Sequence, residues 1–414
     1  MKVYLRSLGC RLNQSEVETL ARQFIQAGHT VVGDPAQADV CVVNTCAVTA
    51  EAERKSRHAL SALARANPRS HIAVTGCYAT LAPQTCASMP GVAWVFSNAE
   101  KGELVRRISL PADGTPASEN CPARTRAFVK VQDGCDNRCA YCIIGLLRGP
   151  SRSRPLAEVV SQVQSLVEAG YREVVLTGVN LGAYGHETGL PGGLRTLVEA
   201  LLRHTDLQRL RLSSVEPWDV DESFLTLWEN PRLCRHLHLP LQSGCDAVLQ
   251  RMGRRITARE YARLVTAAYA AVPDLAITTD VIVGFPGEDE TAFRTSYDFV
   301  AALGFARLHV FPYSARPGTP AASMPDQVER RIMASRAEEM RALGVSLAWQ
   351  FRQRFTGREM EVLWEHQEPP GLWSGLTDNY LRVLARSDRD LRNLITPVRL
   401  TGMQDGYLRG EVIE

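Results

Sequence analysis

No run of apolar residues in this sequence approaches the roughly 18 that a membrane-spanning helix needs, so no membrane span is expected. The amino terminus, MKVYLRSLGC, has Arg6 where a signal peptide would carry its apolar core, and the expected compartment is the cytoplasm. There is no low-complexity tract and no short tandem repeat. No heptad seam is visible that would bind a second copy, so a monomer is the expectation. The chain also lacks a strong charge of either sign: its net +2 makes the total uninformative about partners. Nor do its 11 cysteines form a disulfide framework, since they are odd in number and unevenly spaced. In a reducing compartment, clustered cysteines are more often metal ligands or catalytic groups.

What is present is an ordinary globular composition, 45% hydrophobic and 22% charged, over 414 residues, enough for two or three domains. Apolar runs alternate with amphipathic stretches through the first hundred residues. Strands are expected at Val3–Leu8, Val40–Asn44, Ile72–Thr75 and Val92–Phe96, with helices such as Gln14–Ala27 and Ala50–Ala64 between them. This is the pattern of a parallel α/β domain. The polar segment Ser109–Pro122 reads as a linker. A second series follows, with strands at Phe128–Gln132, Glu173–Thr177, Arg209–Ser213, His236–Leu239, Ile277–Val283 and Arg307–Phe311. Six βα units form either a doubly wound sheet or a partly closed barrel, and periodicity does not choose between them. A charged helical stretch over Gln327–Phe355 leads into short, punctuated runs after Gly357, which imply a small all-β barrel or sandwich.

The strongest local signal is Cys135-Asp-Asn-Arg-Cys139-Ala-Tyr-Cys142, a CxxxCxxC loop just after an expected strand. Three thiolates on one loop suit a 4Fe–4S cluster whose fourth iron is left open for a substrate. A structural zinc loop is the plainer alternative, but zinc sites usually add a second ligand pair, and none lies nearby. Three more cysteines each follow a separate strand: Cys10 after VYLRSLG, Cys46 after VCVVNT and Cys77 after HIAVTG. In a parallel sheet those ends share the ligand-binding edge, so these thiols can converge on a second metal site. Alternatively they are buried apolar cysteines, a common fate of the residue. Cys41, inside a strand, reads as core; Cys86, Cys121, Cys234 and Cys245 show no ligand pattern.

With its CxxxCxxC loop and βα repeats, the chain resembles the radical S-adenosylmethionine superfamily, and over almost its full length the methylthiotransferase family. The resemblance rests on LGCRLNQSE (Leu8–Glu16), NTCAVT (Asn44–Thr49), TGCYA (Thr75–Ala79), VQDGCDNRCAYCII (Val131–Ile144), RSR (Arg152–Arg154), LTGVNLGAYG (Leu176–Gly185), SSVEP (Ser213–Pro217), HLHLPLQSG (His236–Gly244), DVIVGFPGE (Asp280–Glu288) and FPYSARPGTPA (Phe311–Ala321). It implies an α/β protein of three domains: an amino-terminal parallel α/β domain over 1–108, a central partial (β/α)6 radical barrel over 121–350, and a small all-β TRAM-like barrel over 351–414. It further implies two 4Fe–4S clusters. One, on Cys135, Cys139 and Cys142, binds S-adenosylmethionine and, once reduced, cleaves it to a 5′-deoxyadenosyl radical. The other, on Cys10, Cys46 and Cys77, holds the sulfur that is methylated and transferred. Thr177, Gly178, Asn180, Ser213, Glu216, Gln242 and Ser243, at strand ends, are the expected cofactor contacts, although each also reads as an ordinary turn residue.

Gly9-Cys10-Arg11-Leu12-Asn13-Gln14 is similar to the branch acting on N6-threonylcarbamoyladenosine at position 37 of tRNA. It is less like the branches acting on isopentenyladenosine 37 or on a ribosomal-protein aspartate, which stay open as alternatives. A non-catalytic iron–sulfur or RNA-binding protein is the reading of a different class; electron carriers usually give every iron a protein ligand, which speaks against it. The implied partners are a tRNA substrate and an electron donor of the flavodoxin or ferredoxin type. A tRNA agrees with the stretch Arg124–Arg154, where seven basic residues meet two acidic ones. Arg148, Arg152 and Arg154 are its expected phosphate contacts, against the alternative of arginines that only keep a loop soluble. Gly145-Leu146-Leu147 departs from the family's usual run after the third cysteine, which bears on the shape of that loop.

Overall fold

The computed structural model describes residues 1–109, 125–368 and 371–413. The linker expected over Ser109–Pro122 lies outside them but for Ser109, as do Cys121 and Arg124. Contacts divide the chain into two units. The first consists of the described residues of Met1–Ala123 with Asp133–Pro150 and Ser314–Ala322; the second holds those of Arg124–Gln132, Ser151–Tyr313 and Ser323–Glu414. The CxxxCxxC loop therefore packs with the amino-terminal domain.

In the first unit, five parallel strands, β1 (Lys2–Ser7), β2 (Thr30–Val32), β3 (Val40–Thr45), β4 (His71–Gly76) and β5 (Val92–Val95), lie in the order β2-β1-β3-β4-β5. The Val-rich β3 is buried along its whole length, as a central parallel strand covered on both faces must be. Helix α1 (Arg11–Gln26) turns Leu12, Leu20 and Phe24 inward. Helix α2 (Ala50–Ala66) buries Ala59, Leu60 and Leu63. It starts at Thr49, whose hydroxyl accepts from Ala52 N at 3.1 Å, and carries Glu51 and Glu53 in its first turn, both favourable at a helix amino terminus. Three-residue β2 was not among the expected strands.

The second unit contains β6 (Arg126–Lys130), the two-residue strands β7 (Gln132–Asp133, whose Asp133 falls in the first unit) and β8 (Arg152–Ser153), and β9 (Glu173–Thr177), β10 (Arg209–Leu212), β11 (His236–His238), β12 (Ala276–Val283) and β13 (Arg307–Pro312). Two parallel sheets, β10-β9-β6 and β11-β12-β13, are joined by single bridges from Leu210 to Leu233 and Ser214 to His238. The six larger strands thus follow one another in chain order as an open arc. That is a partial (β/α)6 barrel and not a doubly wound sheet, whose order would reverse at a switch point. Ile277, Val281 and Val283 of β12 pack into the main core beside Tyr261, Val265 and Ala268 of helix Ala258–Ala271. Strand alternation then turns Thr278 and Asp280 to the opposite, concave face.

After the long helix Arg330–Gln353, five strands close a barrel in the order β14 (Glu359–Gln367), β15 (Leu372–Thr377), β16 (Arg382–Arg386), β18 (Tyr407–Val412), β17 (Ile395–Gln404). Closure removes the sheet edges that a sandwich would leave open. Trp364, Trp373, Val383, Val398 and Leu408 fill it. Arg211, fully buried and paired with Glu173 at 2.7 Å, donates to Asp378 O at 2.7 Å and so ties β10 to this barrel. Tyr380 stacks on His236 with ring centroids 4.8 Å apart, and Arg211 lies 4.6 Å from its centre.

Candidate active site

Three adjacent strands of the first unit end level with one another: Ser7 is opposite Asn44, Asn44 opposite Thr75, and Thr45 opposite Gly76. Cys10 caps α1, Cys46 follows β3 directly, and Cys77 opens helix Cys77–Leu81. The structure thus brings the three thiols to one sheet edge. Gly9 makes this possible. Its φ is +92°, and a Cβ there would stand 2.6 Å from the Cβ and Sγ of Cys46. Burial pushes the Cys46 thiol up to about 11; Cys10 and Cys77 add to the shift, and Arg148 opposes it. A metal must therefore displace protons here, which is the chemistry of a thiolate site.

Beneath this edge lies a buried ionic network that the sequence did not announce. Glu16, on α1, pairs with Lys101 and with Arg148, the latter at 3.1 Å. Arg148 also donates to Asn13 Oδ1 and Asp133 Oδ1, both at 2.8 Å. Asn44 donates to Glu16 Oε2 at 2.9 Å, and Asn13 donates to Leu8 O and Thr45 O. Burial works against the charge of Arg148, but Glu16, Cys77 and Asp133 outweigh it and hold its pKa well above the usual guanidinium value. The surface role expected for this residue is corrected here. Its side chain is 1% exposed and committed to this network, so it offers nothing to a phosphate.

The CxxxCxxC loop is fastened to the same unit. Gly134 has φ +75° and so little room that a Cβ would overlap Pro150 O, while Cys135 N donates to Gly149 O at 3.1 Å. Cys135, Cys139 and Cys142 are each partly accessible, and none of the described cysteines is in a disulfide. Helix Ile144–Arg148, where the departure Gly145-Leu146-Leu147 falls, buries Leu147 with Ile143 among Ala47, Cys77, Tyr78 and Ala79, and leaves Leu146 exposed. Asn98 donates to Leu147 O at 3.0 Å and lies 3.8 Å from Cys77 Sγ. One side chain therefore touches both thiol-bearing segments.

In the second unit, the expected cofactor contacts lie at or after the carboxyl ends of β9 and β10 and, for Gln242 and Ser243, in the segment after β11 that bridges to β12. Thr177 and Gly178 end β9; Gln132 accepts from Asn180 N at 2.9 Å, and a Cβ on Gly178 would meet its Oε1 at 2.9 Å. Asn180 Oδ1 and Ser213 Oγ are buried with no protein partner, which is costly unless a ligand completes them. These two atoms fit the polar groups of S-adenosylmethionine. Gln242 bridges Val281 in a left-handed conformation, φ +74°, unusual for a non-glycine residue and typical of functional sites. Ser243 accepts from Cys245 N, and Glu216 is engaged by Arg254 at 2.7 Å. Of the two other arginines expected at the surface, Arg152 is exposed, and Arg154 is partly exposed with bonds to Lys130 O and Gln162.

Near Glu216 lies Asp219, whose carboxyl is pushed up to about 6, chiefly by burial and also by Glu216. Its Oδ2 has no partner. The folded chain keeps this proton up to about pH 6, whereas the unfolded chain loses it near 4. Stability therefore falls as pH rises between those values, and the full cost is present above them. Asp219→Asn should gain about 1–2 kcal/mol at pH 8 and nothing at pH 4, allowing for partial solvent access. Urea denaturation of the two proteins at both pH values measures the difference.

Two family models match the chain: "Uncharacterized protein family UPF0004" over residues 2–97 and "Radical SAM superfamily" over residues 129–300. The chain is 36% identical, over 99% of its length and 96% of the relative's, to threonylcarbamoyladenosine tRNA methylthiotransferase MtaB of Bacillus subtilis. It is 37% identical to the protein of that name from Thermotoga maritima, over 92% of this chain and 90% of that one. The tRNA-2-methylthio-N(6)-dimethylallyladenosine synthase of Pelobacter propionicus is 33% identical over 99% and 98%. Among solved structures, the radical S-adenosylmethionine methyltransferase TsrM of Kitasatospora setae shares the fold, with a TM-score of 0.58 at 18% identity over 78% of this chain and 75% of that one. With its two thiol triads and its partial barrel, the chain is an iron–sulfur enzyme that uses S-adenosylmethionine, and it belongs to the radical methylthiotransferase family, in the threonylcarbamoyladenosine tRNA branch.

Proposed function

We propose that this chain inserts a methylthio group at C2 of N6-threonylcarbamoyladenosine 37 in tRNA, using two 4Fe–4S clusters, one on Cys135, Cys139 and Cys142 and one on Cys10, Cys46 and Cys77. The observation that carries the two-cluster reading is the packing of both triads into one unit, joined through Arg148 and Asn98. When bound, the first cluster with S-adenosylmethionine supplies removal of hydrogen from an unactivated carbon, and the second supplies the sulfur.

The protein's own residues orient and shield. Ile143, Leu147 and Tyr78 pack around Cys77 and exclude water from it, and the positive charge of Arg148 favours the ionised form of Cys10 and Cys46. Asn180 and Ser213 offer their unpaired oxygens to S-adenosylmethionine. The functional modules on this reading are 1–108, 121–350 and 351–414. An electron donor of the flavodoxin or ferredoxin class reduces the loop cluster. The chain works as a monomer in the cytoplasm, where its tRNA substrate is found.

Arg152 and Arg154 hold the RNA backbone at the mouth of the barrel strands, with Arg152 the more available. Arg152→Ala should weaken tRNA binding severalfold and lower the slope of log affinity against log salt by about one. Filter binding at several salt concentrations reads both. Function itself is tested by mass spectrometry of tRNA nucleosides from cells with and without the gene. The expected result is loss of the 2-methylthio derivative with accumulation of N6-threonylcarbamoyladenosine; an unchanged nucleoside profile would overturn the assignment.

A further inference from the structure

Three polar side chains that no step above has used meet on the concave face of β11, β12 and β13. Asp280 Oδ1 lies 3.1 Å from His309 Nδ1 and 3.4 Å from His238 Nε2. The imidazole rings tilt 35° to one another with centroids 5.5 Å apart. Thr278 Oγ1, two residues before Asp280 on the same face, lies 2.9 Å from His238 Nδ1 and fixes that ring from its other side. This group is reachable: the side chains of His238, Asp280 and His309 are 14, 24 and 39% exposed. His238 closes β11, and Gln242, with its left-handed backbone, donates its N–H to Asp280 O at 2.8 Å. Asp280 and His309 stand three residues before the carboxyl ends of β12 and β13, so the group lines the concave face below the rim where parallel βα folds take their ligands.

An apolar substituent placed against two imidazoles and a carboxylate would strip them of water and return no hydrogen bond. A substituent with a carboxylate, a hydroxyl and urea N–H groups would return several. We propose that His238, Asp280 and His309 form the pocket for the N6 substituent of the target base, with His309 meeting a carboxylate or hydroxyl through Nε2, and Asp280 and Thr278 holding the two rings in place. The proposal rests on the threonylcarbamoyladenosine reading above and says how the chain would tell that base from an adenosine with an apolar N6 group. Sites that hydrogen-bond a substrate group discriminate strongly against analogues that lack it.

The test uses the full-length protein and one tRNA anticodon stem-loop in three forms, with adenosine, N6-threonylcarbamoyladenosine or N6-isopentenyladenosine at position 37. The dissociation constants of the wild type, His309→Phe, His309→Gln and Asp280→Asn are compared, with circular dichroism confirming that each is folded. The wild type should bind the threonylcarbamoyl form at least tenfold more tightly than the isopentenyl form. His309→Phe should reduce that ratio tenfold or more, through the threonylcarbamoyl form, and His309→Gln should retain part of it. If the wild type discriminates and all three variants keep its ratio, the pocket is elsewhere and the inference fails while the substrate assignment stands. If the wild type does not prefer the threonylcarbamoyl form, the substrate assignment fails first. A divalent ion bound one per chain and lost in Asp280→Asn would also overturn the inference, making the group a metal site.

Discussion

Replacing Cys139 with Ala should abolish cleavage of S-adenosylmethionine and methylthiolation together, whereas replacing Cys46 with Ala should abolish methylthiolation and leave cleavage largely intact. The asymmetry follows from where the thiols sit. Cys139 lies in the middle of the CxxxCxxC loop, and without it two loop thiols are too few to hold a cluster that binds the cofactor. Cys46 lies at the end of β3, on the edge that also carries Cys10 and Cys77, and under the two-cluster proposal it serves the second cluster only. Each replacement should lower bound iron by about four atoms per chain. Iron analysis, 5′-deoxyadenosine released without tRNA, and methylthiolated nucleoside formed with it give three readings for each variant. Equal loss of cleavage in both variants would mean that the two triads serve a single centre.

How far the sequence carried this assignment depends on the range over which each feature acts. The strand-edge cysteines were legible because apolar runs announce parallel strands, and each run stops at a Gly-Cys or Thr-Cys step that marks its carboxyl end. The barrel was less legible. Six βα units read alike in a wound sheet and in a barrel arc, and only the neighbour order β6-β9-β10 followed by β11-β12-β13 separates them. The ionic network was illegible. Glu16 meets Lys101 and Arg148 across 85 and 132 residues, and such a pairing leaves no local period. Arg148 read as a phosphate contact because a basic stretch looks the same whether its arginines face water or a buried glutamate. The aromatic residues of the carboxy-terminal domain likewise show their role only in the fold: Trp373 fills the barrel, and Tyr380 is held between His236 and Arg211. His238 and Asp280 did leave a trace: His-x-His ending β11 and Thr-x-Asp inside β12 break apolar strands with polar residues at a period of two.

Breaking the buried network should give a large stability effect. Glu16 pairs with both Lys101 and Arg148, and Arg148 pairs with Asp133 as well. Glu16→Gln would set a neutral amide against two buried cations, of which Arg148 keeps Asp133, and breaking a buried pair typically costs about 3–5 kcal/mol. Arg148→Met should cost less, because Glu16 keeps Lys101 and a long apolar side chain fills most of the space. The order of the two variants is thus part of the prediction. Hydrogen exchange in peptides covering α1 should rise most in Glu16→Gln and modestly in Arg148→Met, and added salt should restore neither, since charges this deep are little screened. The consequence for function follows from the same contacts. Arg148 joins the helix after the CxxxCxxC loop to the helix that Cys10 caps, so loosening it loosens the spacing of the two thiol triads. In Arg148→Met, 5′-deoxyadenosine should form in growing excess over methylthiolated nucleoside. If the two stayed in the wild-type ratio, the network would serve stability alone.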